Sequence, residues 1–227
     1  MKYISHLDLR RVFIRALRRA KIHLKYSEGF NPHPRLIFAA PLAVGWEGER
    51  EYVDLYLLEE KKGQDVIHSL NNQMPEGLEI KDAWDIPWEY PPISAEIEAG
   101  FFEVYAAPLS VDFSISLKDL LKEEEVYVTR RGKKGEKQVN IRPFVYDIWM
   151  EDELQGALYM LLATGNKGGT RPEEVFYALG EQATVLKICR KNVFMRQQGG
   201  LIAPDGTLYR ELRKAEFKAK ESTNDIK

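Results

Sequence analysis

Residues 5–20 read SHLDLRRVFIRALRRA, and this stretch decides how the chain folds at its start. Ser5 is followed three residues later by Asp8, a capping box that opens a helix. Apolar residues then recur at spacings of three and four: Leu9, Val12, Phe13, Ala16, Leu17 and Ala20. The stretch therefore predicts an amphipathic helix that buries one apolar stripe.

Arginines cover the face of this helix opposite the stripe. They are Arg11, Arg15, Arg18 and Arg19, with Arg10 on a flank. Such a face is usually only solvated, but few acids alternate with these arginines, and like charges four residues apart repel one another. Two interpretations stay open: a solvated face, or a binding face for an anionic partner that relieves the repulsion.

The charge of the chain is unevenly distributed. Residues 1–36 hold nine Lys or Arg and two acids, a formal +7, whereas the whole chain carries −2 and the remainder therefore −9. Positive potential is focused at one end, where it would attract RNA or another polyanion.

The composition is that of a folded protein. Of the 227 residues, 44% are hydrophobic, and the length suits one large or two small domains. No apolar run reaches the ~18 residues of a membrane span and no signal peptide is recognisable, so we expect a cytoplasmic protein without a membrane partner. The single cysteine, Cys189, excludes an internal disulfide and a multi-cysteine metal cluster within this sequence.

A rigid loop follows the helix at residues 27–35, SEGFNPHPR. Each proline holds the preceding residue extended, and Gly29 permits a tight bend. The loop would present four side chains to single-stranded RNA: Phe30, Asn31, His33 and Arg35. An aromatic ring can stack on a base, an amide can hydrogen-bond to a base edge, and cations can bind phosphate. The alternative is a loop buried against the helix, with Phe30 in the core and His33 hydrogen-bonded.

The order of elements after the loop indicates a first α+β domain. We predict strands at 36–42 and 51–57, a helix at 64–74 and a strand at 78–84. Residues 1–4 would add a short first strand, which would complete a β-α-β-β-α-β order of the ferredoxin-like kind. The loop would then dock on the first turn of the helix, with His33 and Phe30 near His6 and Arg10.

A similar order recurs after a proline-rich segment. We predict strands at 101–107, 126–131 and 186–195, and strand segments within 138–150. Helices are predicted at 117–122 and from 170 to 179, the second opened by a capping box at residues 170–173. The apolar run at 157–163 is assigned to a strand because glycines follow it at once. The expected architecture is α+β: two tandem ferredoxin-like (split βαβ) domains, the first with a shortened first strand. The domains are 1–86 and 99–210, with a linker at 87–98 and a charged tail at 211–227.

Residues 165–170, GNKGGT, form a second candidate site between a strand and a helix. Glycines let backbone N–H groups approach an anion, and Lys167 and Arg171 add positive charge. A plain connection between the two elements stays open as the alternative.

Catalytic chemistry of the chain's own is weakly indicated. His6, His23 and His33 lack the spacing of metal ligands, and Cys189 has no designated base. No metal and no cofactor is therefore expected. Two alternatives to RNA binding without catalysis remain: a metal-independent endoribonuclease with His33 or His6 as general base, and a small anionic-ligand-binding module.

Four segments together resemble a known bacterial family, the radical-SAM-linked proteins: ISHLDLRRVFIRALRRA, YSEGFNPHPR, GWEGEREYVDLYL and GGTRPEEVFYALG. The resemblance runs from residue 3 to about residue 195, with SHLD and SEGFNPHP in order at their usual separation. It implies a partner encoded nearby, a radical SAM enzyme of the cobalamin-binding kind. It also implies an accessory role in RNA or ribosome modification.

Overall fold

The computed structural model describes residues 1–107, 113–133, 135–150, 157–165, 168–180, 184–198 and 200–213. The chain divides into two units. The first comprises Met1–Glu47 and Tyr52–Ala95, and the second comprises Gly48–Glu51 and the chain from Glu96 onward. Lys167 and most of the charged tail, residues 214–227, lie outside the described residues.

The elements before residue 97 are short apart from the first helix. They are α1 (His6–Arg19), β1 (Leu36–Phe38), β2 (Glu47–Gly48), β3 (Val53–Leu55), α2 (Gly63–Asn71) and α3 (Ile93–Glu96). The predicted cap of α1 is confirmed, since the backbone N–H of Asp8 donates to Ser5 Oγ at 3.1 Å. The Ser5 hydroxyl in turn donates to the Asp8 carboxylate at 2.7 Å.

The predicted apolar stripe of α1 forms the core of the first unit. Phe13, Ala16 and Leu17 are buried in one cluster with residues from the following segments, namely Ile22, Leu24, Leu36, Val66 and Leu70. Strands β1 and β3 pair antiparallel beside this cluster, with Leu36 opposite Leu55. Burial of these side chains stabilises the unit by roughly 25 cal/mol per Å² of apolar surface removed from water.

Two predicted strands of the first unit are wrong. Residues 1–4 form a turn, and the Lys2 carbonyl accepts a hydrogen bond from the Gly45 N–H at 2.6 Å. Residues 78–84 are not in a strand, because the Asn71 side-chain amide takes both backbone groups of Ile80, at 2.7 and 2.9 Å. Backbone groups engaged in this way cannot join a β-ladder. The described residues of this unit hold a two-stranded sheet.

The second unit has a larger antiparallel sheet. Its elements are β4 (Ile97–Ala107), α4 (Phe113–Lys122), β5 (Tyr127–Gly132), β6 (Gly135–Asn140), a 3-10 turn (Arg142–Phe144), β7 (Val145–Met150), β8 (Ala157–Ala163), α5 (Pro172–Ala178), β9 (Thr184–Gln197) and β10 (Gly200–Ile202). The strand order is β10-β9-β4-β8-β7, and β5 and β6 form a separate hairpin. The predicted strand at 157–163 is confirmed, and every residue in it is buried.

Aromatic rings form the core on one part of this sheet. Trp149 and Tyr159 stack on Phe101 and on each other, with ring centroids 5.4 to 5.8 Å apart. Tyr209 packs edge-on against Phe101 at 5.9 Å, and its hydroxyl donates to Asp147 at 3.0 Å. The α+β class is thus confirmed, while the tandem ferredoxin-like arrangement stays a prediction.

None of the helices in the described part of the chain is both long and apolar enough to cross a bilayer.

Candidate nucleic-acid interface

The loop SEGFNPHPR is the far part of a narrow, hydrogen-bonded hairpin. At its base the Arg35 N–H donates to the Lys25 carbonyl at 2.8 Å, and Tyr26 and Pro34 form an antiparallel bridge. One step further out the Ser27 N–H donates to the His33 carbonyl at 2.8 Å. The His33 N–H donates back to Ser27 Oγ at 2.9 Å. These bonds and the two prolines hold the hairpin rigid up to its tip.

The tip of this hairpin presents an aromatic ring to solvent. Phe30 is fully exposed, with a relative accessible area of 106%, and Asn31 and His33 are also exposed. The alternative of a core Phe30 is therefore wrong. Gly29 makes the bend with φ +111°, a left-handed conformation that other residues rarely adopt. A ring held away from the core adds nothing to folding and is available to a ligand.

The base of the hairpin touches helix α1. The Arg10 guanidinium donates to the Pro34 carbonyl at 3.0 Å, and the His6 ring packs edge-on against Phe38 at 5.1 Å. The helix start and the hairpin base are therefore in contact, as a composite site requires. Phe30 does not take part in this contact, because it is fully exposed.

The arginines of α1 divide into partnered and unpartnered ones. Arg11 forms an ion pair with Asp8 at 2.9 Å, and Arg19 Nε donates to Gln73 Oε1 at 3.1 Å. The Ser5 hydroxyl and then Arg11 hold the pKa of Asp8 below its usual value. The repulsion expected along this face is therefore relieved within the chain at Arg11, whose partner is an acid, whereas the partner of Arg19 is a neutral amide.

Arg15 and Arg18 are the remaining cations of this face. Both side chains are exposed, and neither side chain forms an ion pair or hydrogen bond with any residue that the structure describes. Their charges are therefore available to an external anion. Fewer arginines of this face are available to an anion than expected, because Arg10 is hydrogen-bonded to the hairpin and Arg11 forms an ion pair.

A second group of cations lies on aromatic rings in the same unit. Arg35 Cζ is 3.9 Å from the centroid of the Tyr56 ring and 5.1 Å from that of Trp88. Lys25 Nζ is 4.3 Å from the centroid of Trp88. The rings of Tyr56 and Trp88 meet edge to face at 5.6 Å. Of these four residues, only Arg35 was predicted to belong to a site.

The segment after residue 83 brings Trp88 to this group by running along the outer side of β3. Trp84 packs on Tyr52 at 6.2 Å, and the Ile93 N–H donates to the Asp54 carboxylate at 2.8 Å. The period-two alternation of residues 51–57 places Tyr52, Asp54 and Tyr56 on one side of the strand. That alternation could have indicated from the sequence that these three side chains share one side. It could not indicate that the proline-rich segment packs on them, since that segment has no periodicity.

The loop before α5 is occupied by a carboxylate of the chain itself. Glu174 accepts hydrogen bonds from the Thr170 hydroxyl at 2.8 Å, from the Arg171 N–H at 3.1 Å and from Arg130 Nε at 2.7 Å. The cap therefore begins at Arg171 and not at Thr170 as predicted. The Arg171 side chain is exposed, whereas Lys167 lies outside the described residues. Of the groups at this helix start, the Arg171 backbone N–H and the Thr170 hydroxyl already meet Glu174.

The structure describes the surroundings of both histidines of the nuclease alternative. Among the described residues, neither the His6 nor the His33 imidazole is hydrogen-bonded to a carboxylate that would orient it as a general base. No three His, Cys, Asp or Glu side chains come together as metal ligands would in the described parts of the chain. Burial raises the pKa of the Cys189 thiol to about 11, so it is not a ready nucleophile.

Comparison with known proteins identifies the family. No curated protein matches the chain. A bacterial family model matches residues 1–172, which include the capped helix α1, the hairpin and the aromatic group around Arg35. The chain therefore belongs to the family described as "Uncharacterized protein conserved in bacteria (DUF2344)".

Proposed function

We propose that the chain is an RNA-binding accessory protein that presents RNA to a radical SAM enzyme of the cobalamin-binding kind. The substrate that the enzyme modifies would be RNA or the ribosome. The protein would act in the cytoplasm. The first unit would bind the RNA.

The observation that carries the RNA part is the pair of unpartnered arginines on α1 next to a rigid hairpin with an exposed ring. Arg15 and Arg18 supply charge for phosphates, and Phe30 supplies a surface on which an unpaired base can stack. The contact between Arg10 and Pro34 joins the helix to the hairpin base. Cations beside an exposed aromatic residue are the usual parts of a single-strand site.

The radical chemistry is assigned to a partner. The resemblance in SHLD and SEGFNPHP is the support for such a partner. An iron–sulfur cluster needs several thiolates, and the single cysteine of this chain is buried with a raised pKa. The chain would therefore position a substrate while the partner carries the cofactor.

We also propose that the second unit is a ferredoxin-like domain. Without the β5–β6 hairpin and β10, its elements run β4-α4-β7-β8-α5-β9, which is the β-α-β-β-α-β order.

RNA binding measured over a range of salt concentrations tests the first part. Arg15→Gln with Arg18→Gln should weaken binding and reduce the slope of log affinity against log salt by about 1.4, at about 0.7 per lost phosphate contact. The matched control is Lys133→Gln with Lys137→Gln, which removes the same charge from the exposed β5–β6 hairpin. Equal slopes for the two double variants would contradict the proposal.

Affinity purification of the chain from its native cell tests the second part. We expect the radical SAM enzyme encoded nearby to be recovered with it. Recovery of the chain alone, while that enzyme is expressed, would contradict the partnership.

A further inference from the structure

Lys25 and Arg35 are two cations that share one aromatic ring. Both lie within 5.1 Å of the centroid of Trp88, and neither forms an ion pair with an acid among the residues that the structure describes. Two like charges in so small a space repel one another. An anion placed between them would remove that repulsion.

The backbone holds this pair in place. Arg35 N–H donates to the Lys25 carbonyl at 2.8 Å, Lys25 N–H to the Tyr56 carbonyl at 2.7 Å, and Tyr56 N–H to the Arg35 carbonyl at 3.2 Å. Lys25, Arg35 and Tyr56 are thus linked in a closed triangle of hydrogen bonds. A site built on linked backbone segments loses little entropy when it binds a ligand.

Stacking leaves the hydrogen-bonding capacity of the arginine unused. Arg35 Cζ lies 3.9 Å from the centroid of the Tyr56 ring, so the flat face of the guanidinium packs on the ring. The ring does not accept hydrogen bonds from the guanidinium N–H groups as an oxygen atom would. A guanidinium presents its donors at the edge in a fork that fits two oxygens of a phosphate. Lys25 adds a second, compact charge beside it.

Trp88 supplies an apolar surface next to these donors. Its side chain remains 60% exposed although two cations and Tyr56 contact it. Burying an indole is ordinarily favourable, so exposure on this scale leaves surface for a flat ligand. A base attached to a bound phosphate would reach such a ring.

We propose that Lys25, Arg35, Tyr56 and Trp88 form a nucleotide-binding site for single-stranded RNA. Lys25 and Arg35 hold one phosphate, and Trp88 stacks the adjacent unpaired base. This inference rests on the proposed function, and it adds a site that reads unpaired bases, separate from the arginines of α1.

The test compares two tryptophans of the same segment. Trp88→Leu is matched with Trp84→Leu, since Trp84 packs edge-on against Tyr52 but none of the described cations lies over its ring. The probes are a mixed-sequence single-stranded RNA of about 12 nucleotides and the duplex of the same sequence. Affinity is measured by anisotropy, and folding by thermal unfolding of each variant.

We expect Trp88→Leu to weaken single-strand binding about tenfold, in keeping with the loss of one stacked base. Duplex binding and the salt slope should stay unchanged, because the lost contact is neither ionic nor available to paired bases. Lys25→Gln keeps the ring and should instead lower the salt slope by about 0.7. Trp84→Leu should bind as the unmodified protein does.

The outcomes separate this inference from the proposed function. If the unmodified protein binds neither probe, both are overturned. If it binds RNA through Arg15 and Arg18 but Trp88→Leu and Lys25→Gln bind as tightly as Trp84→Leu, only the nucleotide site is overturned. Should Trp88→Leu unfold, Lys25→Gln decides, and an unchanged salt slope for it overturns the site.

Discussion

Arg130 and Glu174 form a two-point ion pair that ties the β5–β6 hairpin to the start of α5. Arg130 Nε lies 2.7 Å from Glu174 Oε1, and its Nη2 lies 2.8 Å from Oε2. The same Nη2 donates to the Gly169 carbonyl at 2.7 Å. The pair is partly buried, so water screens it less than a surface pair.

This pair makes stability sensitive to acid. Burial raises the pKa of Glu174, but the bonds from Arg130, Thr170 and the Arg171 backbone outweigh burial and leave the pKa below its usual value. The ionised carboxylate thus stabilises the fold above the ordinary Glu pKa, and this stabilisation is lost as pH falls through the lowered folded-state pKa. Glu174→Gln should destabilise the protein by about 1–2 kcal/mol at pH 7. We expect the lower end of this range, because Arg130 is partly exposed and solvent screens the pair. Urea unfolding at several pH values should show the difference vanish in acid; a constant difference would contradict this.

Asp54 should show the opposite pH dependence. Burial raises its pKa, and the single hydrogen bond from the Ile93 N–H offsets this only in part. The folded state therefore binds the Asp54 proton more tightly than the unfolded state does. The contribution of protonated Asp54 to the free energy of unfolding is fully present below the unfolded-state pKa and is lost as pH rises through the folded-state pKa. Asp54→Asn keeps an acceptor for Ile93 without the charge and should leave stability at pH 7 unchanged or higher by up to about 1 kcal/mol. A clear loss of stability in urea unfolding at pH 7 would show that the charge is needed.

Glu51 should be important for the stability of the second unit. Its carboxylate meets both the Nε and the Nη2 of Arg190, with Nε–Oε1 at 2.8 Å, and the Arg190 side chain is only 1% exposed. Glu51→Ala leaves this buried charge without its two-point partner, and we expect a loss of about 3–5 kcal/mol in urea unfolding. Glu49→Ala serves as the control, since Glu49 pairs with the more exposed Lys191 at 2.7 Å and should have a much smaller effect. Equal losses for the two variants would show that burial of Arg190 is not the cause.

Phe30 should affect binding and not folding. Because its ring is fully exposed, Phe30→Ala should change the free energy of unfolding by less than about 0.5 kcal/mol. Loss of one stacking surface should weaken single-stranded RNA binding by about tenfold. Tyr177→Ala, at an exposed aromatic position of α5, is the control and should bind RNA as the unmodified protein does. Binding that is unchanged in Phe30→Ala would remove the hairpin tip from the site.

Local signals in the sequence were sufficient for α1, its Ser5 cap and the buried strand at 157–163. In each case the deciding interactions lie within a few residues, as a cap, a repeat of apolar positions or a glycine stop. The strand predicted at 78–84 failed because the side chain of Asn71, from a preceding helix, takes the backbone bonds of Ile80. A pattern of alternating residues carries no information about such a competitor.

The sequence by itself determined that arginines gather on α1 and that a stiff, aromatic hairpin follows, since periodicity and proline chemistry act locally. The Arg11–Asp8 pair is local as well, because the two residues lie three apart on one helix. Tertiary structure decided the other charges. It directed Arg10 to Pro34 and Arg19 to Gln73, while the side chains of Arg15 and Arg18 kept no partner among the described residues. It also brought the Trp88 ring to Lys25 and Arg35, which belong to a distant part of the chain. Contacts of this kind depend on how segments without regular structure pack across a strand, and the spacing of residues along the chain does not encode that packing.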